Sequence, residues 1–166
     1  MKLQESAENY LENILILSME QDEVRSIDLA NAMSFSKPSV SRAVHLLKDG
    51  GYLNIDPDGL LKLTPRGEAY AVRVYQRHLA LMCWLESLGV SEAVAACDAC
   101  RMEHVLSDES FAAIHDDLER RGVLHPEADP ESLRKWHRAM IEGSDAALKE
   151  EIKARCEDRQ RDVPDN

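Results

Sequence analysis

Apolar residues recur at helical spacing along most of the chain, and short polar segments separate the periodic stretches. The segment SAENYLENILILSME, at 6–20, places apolar side chains every three or four positions and predicts an amphipathic helix. The segment RSIDLANAM, at 25–33, predicts a second helix, and KPSVSRAVHLLKDGG, at 37–51, predicts a third. Pro38 near the start of the third segment and a glycine pair at its end are usual signals of helix termini.

The pattern changes after the third helix. In YLNIDPDGLLKLTPRG, two short apolar runs at 52–55 and 60–63 flank the turn-forming sequence DPDG, which predicts a β-hairpin. Three helices followed by a hairpin are the elements of a winged helix-turn-helix, in which the third helix enters the major groove of DNA. The order of elements alone leaves open a small α+β domain that binds protein instead.

The rest of the chain predicts helices only. A long amphipathic helix covers 67–89, and further helical segments lie around DACRMEH, at 98–104, and over 108–122. Their apolar surface exceeds what three helices can bury among themselves, and such surfaces commonly pair with a second copy across a two-fold axis. A homodimer is therefore expected.

The C-terminal 123–166 carry less information. A polar connector, HPEADPES, precedes two predicted short helices separated at Gly143 and Ser144, and the last residues, 159–166, should be frayed. The predicted fold is thus mainly α with a small β-hairpin wing. A winged helix-turn-helix DNA-binding domain covers 1–65, an all-helical dimerisation domain covers 66–122, and a helical extension covers 123–166.

Composition limits the choice of partners. A net charge of −11 and a pI near 5.0 argue against non-specific coating of nucleic acid, because the overall field repels phosphate. The stretch 36–48 is the exception, since it holds two lysines, an arginine and a histidine and no acid. The four cysteines do not form a secreted framework, and neither a signal segment nor a long apolar run is present. A soluble cytoplasmic protein without a membrane partner is expected.

The stretch DACRMEHVLSDE offers candidate chemistry. On a helix, Cys100, Glu103 and His104 stand at i, i+3 and i+4 and emerge on one face, with Cys97 one turn earlier. This mixed set of sulfur, oxygen and nitrogen donors suits a borderline or soft divalent transition metal better than calcium or magnesium. The spacing alone leaves a plainer alternative, in which the cysteines pack in a core and the Glu and His are solvated.

Several stretches in order resemble the iron- and manganese-dependent repressors typified by the diphtheria toxin repressor and the manganese transport regulator. The resemblance runs from residue 3 to about 121 through SAENYLENILIL, SIDLANAMSFSKPSVSRAVHLL, DGLLKLTPRG, VYQRH and DACRMEHVLSDE. It implies a repressor controlled by a metal, with no enzymatic activity and no small organic substrate. Residues 123–166 are too few and too helical for the SH3-like domain that diphtheria-type members append.

The resemblance also implies a set of metal ligands in two domains. The family's ligand positions fall on the following residues: Asn9, Glu12, His78, Cys100, Glu103 and His104. Fe(II) or Mn(II) as the corepressor would then bridge the DNA-binding and dimerisation domains, and Zn(II) or Co(II) would bind in vitro. Asn9 departs from the family, which usually has Met or Asp there, so this ligand is expected to be weaker or replaced by water. Cys97 is interpreted as a packing residue rather than a compensating ligand.

The predicted DNA contacts lie on the first turns of the third helix. They are the following residues: Ser36, Lys37, Pro38, Ser39 and Arg42. Arg42 suits a bidentate contact with guanine, and Ser39 suits a phosphate or a degenerate base contact. Lys37 suits a phosphate or is simply solvated. Two other functions remain as alternatives: a dimeric winged-helix regulator without metal control, and, less favoured, a metal-dependent enzyme.

Overall fold

The computed structural model describes residues 5–123, 125–126 and 129–143. The predicted short helix after Ser144 and the predicted frayed end at 159–166 lie outside the described residues. The chain divides into two compact units, 1–75 and 76–166. The helix that spans this boundary contributes its first part to one unit and its remainder to the other.

The first unit contains three helices and a two-stranded sheet: α1 (Glu5–Glu20), α2 (Ser26–Met33), α3 (Lys37–Asp49), β1 (Leu53–Ile55) and β2 (Leu61–Leu63). The helices pack on one another, and α3 packs on β1 while α1 packs on β2. The core holds the apolar positions of the periodic segments, with fully buried members on the three helices and β1: Leu11, Ile14, Leu15, Leu29, Val40, Val44 and Leu53. Hydrophobic periodicity therefore orients all three helices.

The α2–α3 turn is set by its caps. Ser34 follows α2 in the left-handed conformation, with φ 54°, and reverses the chain. Ser36 caps α3, because its side chain accepts a hydrogen bond from the Ser39 amide at 3.3 Å. Pro38 occupies the first turn of α3, where an amide donor is not needed.

The hairpin pairs β1 and β2 antiparallel, with Leu53 opposite Leu63 and Ile55 opposite Leu61. Asp56 organises the turn, since its Oδ1 accepts hydrogen bonds from the amides of Asp58 at 3.0 Å and of Leu60 at 2.8 Å. These bonds, that from Leu60 above all, hold the pKa of Asp56 below its ordinary value.

The fourth helix, α4 (Pro65–Ser87), starts against the hairpin. Thr64 precedes it, and the Thr64 hydroxyl accepts a hydrogen bond from the Gly67 amide at 3.1 Å. Gly67 passes so close to the Tyr52 backbone that a Cβ there would collide with the Tyr52 carbonyl oxygen. Arg66 donates to the Tyr52 hydroxyl at 2.7 Å, and its guanidinium lies 4.2 Å from the centre of the same ring. The end of the hairpin thereby fixes the start of α4.

The second unit holds the rest of α4 together with α5 (Glu92–Val105), α6 (Asp108–Arg120) and α7 (Pro130–Gly143). Ser107 caps α6 by accepting a hydrogen bond from the Ser110 amide at 3.1 Å. The core is built from small residues of α5 and larger ones of the other helices, with fully buried members Leu79, Ala80, Leu81, Ala95, Ala99, Leu118 and Leu133. Within the described part of the chain, every helix is too short or too polar to cross a membrane.

The predicted fold class is confirmed, since a winged helix-turn-helix with a small hairpin precedes an all-helical region. The three predicted domain ranges, 1–65, 66–122 and 123–166, stay a prediction.

Candidate metal centre and nucleic-acid interface

Helix α5 of the second unit carries a buried carboxylate. Glu103 lies on α5 and is only 4% exposed, on a face otherwise formed by small apolar residues. The side chain of His104, next on the same helix, is 1% exposed. An acid is rarely this buried unless it is paired with a cation, a donor or a metal.

Two histidines flank this carboxylate. Nδ1 of His78, on α4, lies 2.8 Å from Oε2 of Glu103, within hydrogen-bond distance. Nε2 of His104 lies 3.1 Å from Oε1 of Glu103. This second pair lacks the geometry of a hydrogen bond, so the buried Oε1 of Glu103 has no hydrogen-bond partner among the described residues. One carboxylate oxygen is thus satisfied and the other is not.

The pKa of Glu103 lies below its ordinary value. Burial is the strongest single influence and acts to raise it, but the charges of the two histidines and the hydrogen bond with His78 act together to lower it. The carboxyl group is therefore held as a carboxylate although it is buried.

These residues fit a divalent transition metal. The buried Oε1 of Glu103 needs a positively charged partner, and Nε2 of His104 beside it donates to a metal when the imidazole is neutral. Cys100, half-buried one turn earlier on α5, adds a thiolate donor to the carboxylate and imidazoles. Cys97 is buried, as a packing cysteine would be.

Arg77 is a positioning residue that the sequence did not reveal. Its guanidinium donates to Asp108 at 2.9 Å and to the carbonyl of Leu106 at 2.7 Å, and it lies 4.7 Å from the centre of the Phe111 ring. Arg77 thereby ties α4 to the turn between α5 and α6. His78 is the next residue on α4, and its imidazole contacts Glu103 of α5.

The two remaining predicted ligands lie on α1 of the first unit. Glu12 is buried and Asn9 is half-buried. Glu8, on the same helix, is also buried and accepts a hydrogen bond from the Tyr70 hydroxyl at 3.1 Å. Helix α1 therefore buries two acidic side chains, of which Glu12 is a predicted metal ligand.

The exposed face of α3 carries the predicted DNA contacts. The helix buries Val40, Val44 and Leu47 toward the core. Of the predicted contacts, Ser39 is half-buried, and four are exposed: Ser36, Lys37, Pro38 and Arg42. Ser36 and Ser39 are joined by a 2.9 Å hydrogen bond between their hydroxyls.

The same face continues beyond the predicted contacts. A surface depression of about 440 Å³ is lined by Ser41, Arg42, His45, Leu46 and Asp49. Leu46 is 72% exposed although it belongs to a helix with a well-formed core face. An exposed apolar side chain beside Arg42 suits contact with a thymine methyl group, and the sequence pattern gave no sign of it.

The fold and these two surfaces define a class: a winged-helix DNA-binding regulator with a helical domain that holds a metal. A family model described as "Iron dependent repressor, N-terminal DNA binding domain" matches residues 2–61. A second, described as "Iron dependent repressor, metal binding and dimerisation domain", matches residues 64–137. The chain belongs to the iron-dependent repressor family, and the resemblance found in the sequence is confirmed.

Individual relatives agree with this assignment. The transcriptional regulator MntR of Salmonella typhimurium is 35% identical over 109 residues, which are 66% of this chain and 69% of that relative. The diphtheria toxin repressor of Corynebacterium efficiens is 32% identical over 128 residues, 75% of this chain and 56% of the relative. A solved manganese-dependent transcriptional repressor in complex with manganese superposes with a TM-score of 0.61 at 27% identity, covering 68% of this chain and 52% of that one. The chain thus spans about half the length of two of these proteins.

Proposed function

We propose that this chain is a homodimeric, metal-responsive transcriptional repressor whose corepressor is Fe(II) or Mn(II) and whose partner is an operator in double-stranded DNA. The observation that carries the proposal is the buried Glu103 carboxylate, which has one oxygen without a hydrogen bond and lies beside two histidines. The family match supports it, because relatives of this family are named as manganese or iron regulators.

The proposed ligands on the second unit are His78, Cys100, Glu103 and His104, and the family resemblance adds Asn9 and Glu12 from the first. A bound divalent ion supplies the positive charge that the buried carboxylate lacks. The chain's own residues orient the donors: His78 and Glu103 hold each other, and Arg77 holds α4 in place. The proposed ligands come from both units. Metal therefore shifts the population toward the DNA-competent arrangement only to the extent that this arrangement binds metal more tightly than the other arrangements do.

A thiolate at Cys100 favours Fe(II) over Mn(II). An amide at Asn9 in place of a carboxylate makes the site less negative. Zn(II) and Co(II) should bind in vitro because they form stronger complexes with such donors. We infer that the protein acts in the cytoplasm and catalyses no reaction, which accords with relatives that are transcriptional regulators.

Calorimetric titration of the metal-free protein with Mn(II) and Fe(II) under anaerobic conditions tests the ligand set. Cys100→Ala and His104→Ala should each lower metal affinity more than about tenfold, because each removes a strong donor. Glu12→Ala should lower it less, since the four proposed ligands of the second unit all remain. Glu109→Gln, which changes an exposed acid of α6, is the matched control and should leave affinity unchanged. Unchanged affinity in the Cys100 and His104 variants would contradict the proposal.

The proposed dimer is tested by sedimentation equilibrium. The full chain should associate through its second unit at micromolar concentration, because two half-sites on DNA need two recognition helices. A monomer with and without metal would overturn this part of the proposal.

A further inference from the structure

A second cluster of side chains of metal-ligand type lies in the second unit and shares no residue with the proposed corepressor site. His115 and Glu119 stand at i and i+4 on α6 and therefore share one face of that helix. His125 follows the helix after its terminal turn and folds back beside them. One donor atom from each of the three side chains lies within 4.8 Å of the other two.

The distance between His125 and Glu119 is not that of an ordinary hydrogen bond. Nε2 of His125 lies 3.7 Å from Oε1 of Glu119, which is beyond hydrogen-bond length. Two donors that each sit about 2.1 Å from one ion can lie at most about 4.2 Å apart, so 3.7 Å is compatible with a shared ion. The rings of His115 and His125 meet edge to face, with centroids 4.5 Å apart, so the two imidazoles lie close together.

The side chains of the cluster differ in their exposure to solvent. The His125 side chain is 5% exposed, whereas that of Glu119 is 59% exposed. The cluster is therefore walled on the His125 side and open to water on the Glu119 side, which leaves room for water to complete a coordination shell. The neighbouring Arg120 and Arg121 both pair with Asp117, at 3.2 and 3.3 Å, so Glu119 faces the histidines rather than these arginines.

We propose that His115, Glu119 and His125 form a second site for a divalent transition metal. Two imidazoles and one carboxylate select Zn(II), Co(II), Ni(II) or Fe(II) over calcium and magnesium, and Mn(II) should bind most weakly of the first-row ions. The site joins the segment at residues 125–126 to α6, and Pro126 in that segment is fully buried. An ion held there fastens the chain that follows α6 onto this helix. The proposal uses none of the residues assigned to the corepressor site and stands independently of it.

The test measures Zn(II) bound at equilibrium, by dialysis and metal analysis, in the full chain and in three variants. One variant removes the second site (His115→Ala with His125→Ala), one removes the corepressor site (Glu103→Ala with His104→Ala), and one removes both. Removing the second site should lower the bound Zn(II) by about one ion per chain. We expect this loss both in the otherwise unchanged chain and in the variant that lacks the corepressor site. If Zn(II) binding is equal to that of the parent in both backgrounds, the second site does not exist. Failure of the corepressor site would appear separately, as unchanged binding when Glu103 and His104 are replaced.

Matched single variants guard against a folding defect. Glu119→Gln changes a largely exposed side chain and should weaken Zn(II) binding at this site at least tenfold, while Glu109→Gln on the same helix should not. His45→Ala, on the exposed face of α3, is the matched histidine control. Co(II) gives an independent signal. The variant with Glu103→Ala and His104→Ala should show visible d–d absorption with Co(II), and this absorption should disappear when Glu119→Gln is added. Equal absorption in Glu119→Gln and Glu109→Gln would overturn the proposal.

Discussion

Nδ1 of His78 lies 2.8 Å from Oε2 of Glu103, so one hydrogen bond joins two helices through residues 25 positions apart in the sequence. The bond satisfies only half of the buried carboxylate, and the other oxygen faces His104 without a hydrogen bond. The second unit therefore contains a negative charge that is oriented but not fully compensated. Such a group stabilises the fold best when a cation is present.

Replacing Arg77 should weaken both folding and metal binding. Arg77→Ala removes two hydrogen bonds and the contact with the Phe111 ring from a buried position, and should lower the free energy of unfolding by about 2–3 kcal/mol. Metal affinity should fall as well, because His78 loses its support. Urea unfolding and calorimetry measure the two effects. Arg120→Ala, which breaks an exposed ion pair with Asp117, should change stability by less than about 0.5 kcal/mol.

Gly67→Ala should destabilise the first unit. A methyl group at this position meets the Tyr52 carbonyl, which is backbone and cannot move aside without shifting the hairpin. The expected loss is about 1–3 kcal/mol, as for other overpacked sites. Thermal unfolding of the variant should be compared with that of Ala69→Leu, which adds more atoms at an exposed position of the same helix. Equal stability of the two variants would show that the Gly67 contact is unimportant.

The turn of the hairpin should weaken in acid. The pKa of Asp56 is lowered in the folded protein, chiefly by the Leu60 amide and also by Lys62 at 3.3 Å. A lowered pKa means that the stabilisation is fully present above the ordinary value and is lost as pH falls through the lowered one. Asp56→Asn should therefore reduce stability near neutral pH and flatten its fall in acid. Asp58→Asn is the control, and an identical pH profile for both variants would count against the assignment.

Arg42→Ala should weaken binding to cognate DNA by about 1–3 kcal/mol if the arginine reads a base. Arg42 is exposed on α3, so folding should be unaffected. Fluorescence anisotropy on cognate and scrambled duplexes measures the difference, with Lys48→Ala in the last turn of α3 as the control. An equal loss on both duplexes would assign Arg42 to a phosphate instead.

Most of the fold could be predicted from local pattern. The α3 segment carries its own N-cap and core stripe, and the apolar runs around DPDG suffice for a hairpin. The spacing of Cys100, Glu103 and His104 likewise follows from one turn of helix. Each of these features depends on residues that are near one another in the sequence.

The remaining features depend on contacts between distant residues. Arg77 meets Asp108 across 31 positions, and no periodicity marks such a pair. The need for glycine at position 67 comes from the Tyr52 backbone, which is distant in sequence and lies close only in the folded structure. The position of His125 beside α6 depends on how the chain turns after that helix. Tertiary packing determines all three, so local propensity could not reveal them.

We propose that a divalent metal bound through Glu103 and His104 controls DNA binding. This control is tested by the affinity for a duplex selected from random DNA with the Mn(II)-loaded protein, measured by anisotropy in excess Mn(II) and in excess chelator. Wild type should bind at least tenfold more tightly with Mn(II), and Glu103→Gln with His104→Ala should bind weakly in both conditions. Glu12→Ala should bind metal yet lose most of the metal dependence. Equal DNA affinity of the wild type in Mn(II) and in chelator would contradict the claim and favour a regulator without metal control.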